Sequence, residues 1–144
     1  MKPKAYIFDI DGTLAKKHPD RDIFEFDKVH MDLLHENVVL LYKCLRAHLV
    51  DHGYIFLIVS GRSEDSQEVT EKWLKRNHIK YNALYLRPSG DRREDTIVKE
   101  EIYNNEIMHQ YDVVGVFEDR LRVARMWHSL GLTVFRVGDP DADF

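Results

Sequence analysis

One cysteine, Cys44, is all the thiol chemistry this chain carries, so no disulfide can form within it. Cys44 falls in an apolar run, which predicts a buried core thiol and a reducing, cytoplasmic setting. An excess of positive charge is also absent. With 21 Lys and Arg against 25 Asp and Glu the formal net charge is −4, which excludes coating nucleic acid through bulk positive charge but leaves room for a local basic patch. The apolar runs Val38 to Tyr42 and Tyr54 to Val59 are far too short to cross a bilayer, so no membrane association is expected. None of the seven glycines is followed by lysine, which excludes a Walker A phosphate loop. No repeat, low-complexity tract or glycine-rich linker marks a boundary, and Met1-Lys2-Pro3-Lys4 has no apolar leader, which predicts no signal peptide. At 144 residues and 44% hydrophobic content, the chain is expected to form a single domain, 1–144, around one core.

What is present alternates in character. Ala5 to Phe8 has the length and the β-branched and aromatic content of a buried strand. The segment 15–34 is long and polar, with Phe24 and Phe26 as expected anchors, and predicts a flap without regular structure. Asn37 can cap a helix with a core stripe of Val38, Leu41, Leu45 and Leu49 ending at Gly53. Tyr54 to Val59 is an all-apolar second strand of the kind covered on both faces. A helix over Ser66 to Asn77 with Val69, Trp73 and Leu74 inward precedes a third strand, Ala83 to Leu86. Asp95 or Thr96 caps a helix through Ile107 that carries Lys99 in its first turn. Asp112 to Phe117 makes a fourth strand. A helix with Val123, Met126, Trp127 and Leu130 inward stops at Gly131, and Thr133 to Val137 makes the fifth strand. The acidic tail from Gly138 is expected to fray. This alternation predicts an α/β fold with a doubly wound, parallel, five-stranded sheet.

In such sheets ligands bind beyond the carboxyl ends of the strands. Asp9 and Asp11 close the first strand, followed by Gly12 for a tight turn and Thr13 with a hydroxyl facing the same opening. Asp-Gly alone is an ordinary turn. Yet Ser60 and Arg62 end the second strand, Arg87 the third, and Glu118, Asp119 and Arg120 the fourth, while Lys99 enters from a helix start. Carboxylates that repel one another call for a cation, and arginines and lysine can clamp phosphate oxygens. The joint occurrence of these residues points to phosphoryl transfer with Mg²⁺.

On these residues the chain resembles the haloacid dehalogenase (HAD) superfamily of aspartyl phosphotransferases. Asp9-Ile10-Asp11-Gly12-Thr13 is similar to its first motif, Ser60 to its second, Lys99 to its third and Glu118-Asp119 to its acidic fourth, in the family's order. Within that superfamily it most resembles the 3′-phosphatase domains of phage-type polynucleotide kinase/phosphatases. That resemblance rests on Ser60-Gly61-Arg62, on Leu86 to Asp91 leading through Asp95 to Val98-Lys99-Glu100-Glu101, on Val114 to Arg120, on Met126-Trp127, and on the terminal Asp143-Phe144. The resemblance implies a Rossmann-like domain without a large cap. It also implies that Asp9 is the nucleophile, Asp11 the acid and base, and Ser60 and Lys99 the holders of the transferring oxygens. Mg²⁺ is then expected on Asp9, the Asp11 carbonyl and Asp119. Thr13, Arg21 in the flap, Gly61, Arg62, Arg87, Asp95 and Arg120 are implied on the substrate side. The substrate implied is a nucleic acid end bearing a 3′-phosphate, processed in end repair beside a separate kinase or ligase partner. Three features depart from the pattern. Glu118 stands where this branch often has aspartate, the segment between Arg62 and Trp73 is short, and no kinase half accompanies the phosphatase motifs.

Other readings follow from the residues, one of them a phosphate-sensing or interaction domain that keeps the fold but not turnover, which an incomplete motif set would favour. The same machinery serves a phosphatase of mononucleotides or other small esters. His48 and His52, spaced i, i+4 beside Asp51, could begin a zinc site, but no third ligand stands at a telling spacing.

Overall fold

The alternation of side chains along the first two long strands dictates a sheet covered on both faces. The structure, a computed structural model, describes residues 1–143. Phe144, the last residue of the expected C-terminal match, lies outside them. β1 (Lys4–Phe8) sends Phe8 to one face and Ala5 and Ile7 to the other. β4 (Ile55–Ser63) does the same with Phe56 and Ile58 against Leu57 and Val59. One face is closed by α1 (Glu36–Leu49) and α2 (Gln67–Arg76), through Val39, Tyr42, Trp73 and Leu74. The opposite face is closed by α4 (Leu121–Ser129) through Val123, Met126 and Trp127, together with Ile107, which follows α3 (Asp95–Ile102). With β5 (Ala83–Arg87), β6 (Asp112–Glu118) and β7 (Val134–Arg136), the strands stand in the order β5-β4-β1-β6-β7, all parallel. This is the doubly wound α/β sheet that the alternation predicts, and no cap domain is added to it among the described residues. The chain leaves β1 toward β4 and β5, then returns to β6 on the other side. The crevice of the fold therefore opens beyond β1 and its neighbours. No described helix is long and apolar enough to cross a membrane.

Several local expectations are corrected. α1 buries Val38, Val39 and Tyr42, with Leu45 and Leu49 packed against the same core, while Leu41 is exposed; the Tyr42 ring lies on Phe8 and Phe56, and its hydroxyl donates to the Lys80 carbonyl at 2.7 Å. Cys44 shares the outward side and is exposed rather than buried. The flap is not irregular. It contains a two-residue ribbon, β2 (Ala15–Lys16) with β3 (Leu33–Leu34), and a 3₁₀ turn over Phe26–Met31. Its apolar anchor is Val29, whereas Phe24 is 78% exposed. The third long helix ends at Ile102 and continues as a π turn, Tyr103–Ile107. Glu94 occupies its cap position, and Lys99 lies past its first turn. The described tail is bonded back to the start of α4, where Arg122 donates to Asp143 and the Leu121 amide to the Ala142 carbonyl.

Candidate active site

Asp9 follows β1, and Glu118 ends the adjacent β6, so the topology itself brings two carboxylates to one opening. Asp9, Glu118 and Asp119 each place a carboxylate oxygen within 4.8 Å of the other two. Lys99, buried, reaches in from α3 and donates to Asp9 Oδ1 at 3.0 Å and to Glu118 Oε2 at 2.9 Å. Thr13 donates to the other Asp9 oxygen at 3.2 Å. On the far side, the Trp127 indole N–H points at Glu118 Oε2 from 3.4 Å. Three carboxylates against one ammonium leave a surplus of negative charge in a buried place, which is costly unless compensated. An all-oxygen donor set with that surplus suits a hard divalent cation. The residues present thus fit the metal that the resemblance implies, with Glu118 joining Asp9 and Asp119.

The electrostatics follow from this crowding. Burial and the neighbouring Glu118 push the Asp9 carboxyl well above its ordinary range, with Asp119 and Asp11 adding to the rise and Lys99 opposing it. Burial and Glu118 likewise raise Asp119 to about 6. Burial pulls Lys99 down, but Asp9 and Glu118 outweigh it and keep the ammonium charged.

Gly12 is required where it stands. Its φ is +84°, and a Cβ there would sit 1.9 Å from Asp119 Oδ2. The turn after β1 can therefore close onto the acidic cluster only without a side chain.

Asp11 belongs to a different grouping. Its carboxylate is held in a fork by Arg62, Nε to Oδ2 at 2.9 Å and Nη2 to Oδ1 at 2.8 Å. Burial works to raise the Asp11 pKa, but Arg62, with Arg21 and Lys99 behind it, overrides this and holds the carboxyl below its ordinary value. Arg62 also donates to Asp32 at 3.2 Å and to Thr70 at 3.2 Å. Asp32 in turn takes both arms of Arg21, at 2.8 Å each, and Arg21 lies 3.5 Å from Asp11. The flap is closed onto the site by these bonds. Asp32 and Thr70 are missed by sequence reasoning. Asp32 is one of several acids in a polar segment, and the single signal that sets it apart is its place directly before the apolar pair Leu33-Leu34.

The remaining expected residues surround this center. Ser60 is buried and its hydroxyl accepts the Arg62 amide at 3.2 Å. Arg87 donates Nε to the Gly61 carbonyl at 2.9 Å and pairs with Asp95, and Arg120 reaches the other Asp95 oxygen at 3.0 Å. A Cβ on Gly61 would meet the Asp95 side chain at 2.6 Å, so these two elements touch directly. The short stretch after Arg62 forms a 3₁₀ turn, Glu64–Ser66, whose acids bind Ser89 across the rim. The His48 and His52 rings stand 5.7 Å apart on an exposed helix end, with no third ligand among the described residues.

The fold has counterparts among solved structures. Two solved assemblies are similar to the chain at 35% identity. One, described as a Pnkp1/Rnl/Hen1 complex, superposes with a TM-score of 0.90 over 99% of this chain and 48% of its own. The second, described as the Pnkp1/Rnl/Hen1 RNA repair complex, superposes with 0.88 over 97% and 44%. A protein of Autographa californica nuclear polyhedrosis virus, which carries the name bifunctional polynucleotide kinase/RNA ligase, is 36% identical over 138 residues, covering 94% of this chain and 19% of that protein. The chain thus spans less than half the length of each of these relatives. The profile of the polynucleotide kinase PNKP phosphatase domain matches residues 3–144. With motif order, sheet topology and near-complete coverage in agreement, the chain belongs to the family of polynucleotide kinase PNKP phosphatase domains, phosphatases of the HAD type.

Proposed function

We propose that residues 1–144 act as one domain that removes terminal 3′-phosphates from nucleic acid strands through a phosphoaspartyl intermediate, in end repair. The observation that carries this reading is the separation of the carboxylates into two environments. Asp9 sits with Lys99, Glu118 and Asp119, and Asp11 sits in the Arg62 fork. Two carboxyls with environments that push them apart are suited to different tasks.

In the first step an Asp9 oxygen attacks phosphorus. The Asp9 O–P bond forms as the bond to the ribose 3′-oxygen breaks, and Asp11 gives that oxygen its proton. Water then attacks the phosphoaspartate, Asp11 takes the water proton, and inorganic phosphate leaves with Asp9 restored. The ionised state in which Arg62 holds Asp11 is the state that accepts the water proton. The acid step requires that Asp11 first take up a proton, as the incoming phosphate competes for Arg62. Ser60 and Lys99 hold the oxygens of the transferring group. Thr13, Arg21, Gly61, Arg62, Arg87, Asp95 and Arg120 form the substrate side.

Asp9 and Asp119, with the Asp11 main-chain carbonyl, would hold Mg²⁺, and Glu118 lies close enough to share it. Bound there, the cation would supply the positive charge that keeps Asp9 ionised and offsets its repulsion from phosphate.

The names of the relatives support a setting in which kinase or ligase activity acts beside this domain, on a linked segment or a partner chain, and they make RNA the first substrate to test. The test is phosphate release, in Mg²⁺, from a 3′-phosphorylated oligonucleotide, a 5′-phosphorylated one and a 3′-mononucleotide. The first is expected to be hydrolysed best. Equal rates on the 3′-mononucleotide and the oligonucleotide would move the reading to a phosphatase of small esters.

A further inference from the structure

The end of β5 and the loop that leads from it to α3 carry three arginines, Arg87, Arg92 and Arg93, and the structure separates them by task. Arg87 is a strut at the loop's root, bonded to Gly61 and Asp95. Arg93 is a staple. Its guanidinium takes Asp91 at 2.7 Å and Glu101 on α3 at 2.7 Å, and its main-chain amide also bonds the Asp91 carboxylate at 3.0 Å. The loop is tied on its other flank as well, where the Ser89 amide and hydroxyl bind Glu64 at 2.9 Å and Asp65 at 3.0 Å. Between these ties Arg92 is exposed, with no hydrogen bond or ion pair to any described residue. The acid nearest to it in sequence on the helix side, Glu94, lies within the field of Arg122 at the start of α4.

A flexible loop with one free arginine would mean little, since solvated surface arginines are common. Here the surrounding chain is fixed by charge-assisted bonds on both sides, so the entropy of ordering the loop is already spent before any ligand arrives. Its root touches Gly61, the residue after Ser60, and Asp95, which Arg120 also binds. The root of the loop is therefore fixed beside the candidate phosphate site, and Arg92 is the arginine of this stretch that the fold leaves uncommitted, while Arg87 and Arg93 are consumed by structure.

We propose that Arg92 contacts a backbone phosphate of the nucleic acid strand whose 3′ end occupies the site, and so helps to favour a polymer over a mononucleotide. This inference rests on the 3′-phosphatase reading and adds to it a contact outside the reacting phosphate. A contact of this kind carries no base specificity and is weakened by salt, with a slope of about −0.7 per neutralised phosphate on a single strand.

The test separates the two claims. In an Asp9→Asn background, so that turnover does not intervene, binding of a short 3′-phosphorylated oligoribonucleotide is measured by fluorescence anisotropy over a range of salt. Adding Arg92→Ala is expected to weaken binding roughly fivefold at low salt and to reduce the salt slope by about 0.7. Arg92→Lys is expected to restore most of both, because an exposed phosphate contact needs the charge more than the fork. Arg122→Ala, which removes a surface charge tied to Asp143, is the control for a general electrostatic effect. Unchanged affinity and slope in Arg92→Ala, or an equal loss in Arg122→Ala, would overturn the proposal. Failure of the phosphatase reading would show separately, as no phosphate release from any 3′-phosphorylated substrate by the unmodified protein.

Discussion

Arg62 grips Asp11 with two parallel bonds, Nε to Oδ2 at 2.9 Å and Nη2 to Oδ1 at 2.8 Å, although the Asp11 side chain is still 41% exposed. A fork of this kind fixes orientation as well as charge. Asp11 is thereby aimed and kept ionised, while Asp9, two residues earlier, is crowded by acids.

From this difference the two aspartates should fail differently. Asp9→Asn removes the nucleophile with little change of shape and is expected to abolish phosphate release in a folded protein. Asp11→Asn keeps the nucleophile, so a leaving group that needs no proton should recover the first step but not the second. With p-nitrophenyl phosphate the Asp11→Asn variant is expected to form the phosphoenzyme and to stall at its hydrolysis. Near-normal turnover by folded Asp9→Asn on either substrate would end the aspartyl-phosphate mechanism.

Asp32 offers a second test, because among the described residues it is the only acid that touches both Arg21 and Arg62 with its side chain shielded from solvent. Removing one partner of a buried ion pair typically costs about 3–5 kcal/mol, since the charge left behind has no compensation. Asp32→Ala is expected to lose stability on that scale, measured by denaturant unfolding. Asp32→Asn, which keeps the shape and some hydrogen bonds, should fold and raise KM more than it lowers kcat, because the arginines it releases are no longer aimed. If Asp32→Asn left both constants unchanged, the flap arginine would not depend on it.

The contrast between these residues also explains what could be read from the sequence. Asp9 and Glu118 are legible because each lies at the end of a strand that announces itself by period and punctuation, and Lys99 because its helix does, although it stands past the first turn. The five sheet strands followed from the same signals. Asp32 was not legible, because its meaning depends on the flap folding back over Arg62, a contact 30 residues away along the chain. Phe24 departs from expectation for the complementary reason. Apolar character marks a candidate for burial, yet here Val29 and the buried Arg21 hold the flap and leave Phe24 outside. Leu41 and Cys44 show the limit of helical periodicity. On α1 the expected stripe residues Val38, Leu45 and Leu49 do face the core, and only Leu41 gives way, to Tyr42, whose ring packs on Phe8 and Phe56 and whose hydroxyl bonds Lys80.

The acidic cluster predicts how stability and cation binding respond to pH. Asp119 is raised to about 6 in the folded protein, by burial first and Glu118 second, against 3.8 for an ordinary aspartate. The folded state therefore holds a proton on Asp119 that the unfolded state has released. The stability from this group is fully present below about 3.8 and is lost as pH rises through about 6. In a chelating buffer, wild type and Asp119→Asn should have similar melting temperatures near pH 4, and the variant should gain on wild type as pH climbs to 7, because asparagine carries no charge to bury. Excess Mg²⁺ should reverse that order at pH 7, since the cation stabilises the ionised cluster and binds the variant poorly. Binding at pH 6 should also release protons, visible in calorimetry as a dependence of the apparent enthalpy on the buffer. A difference between the two proteins that stays constant with pH, and a melting temperature indifferent to Mg²⁺ in wild type, would remove both the burial argument for Asp119 and its role as a cation ligand.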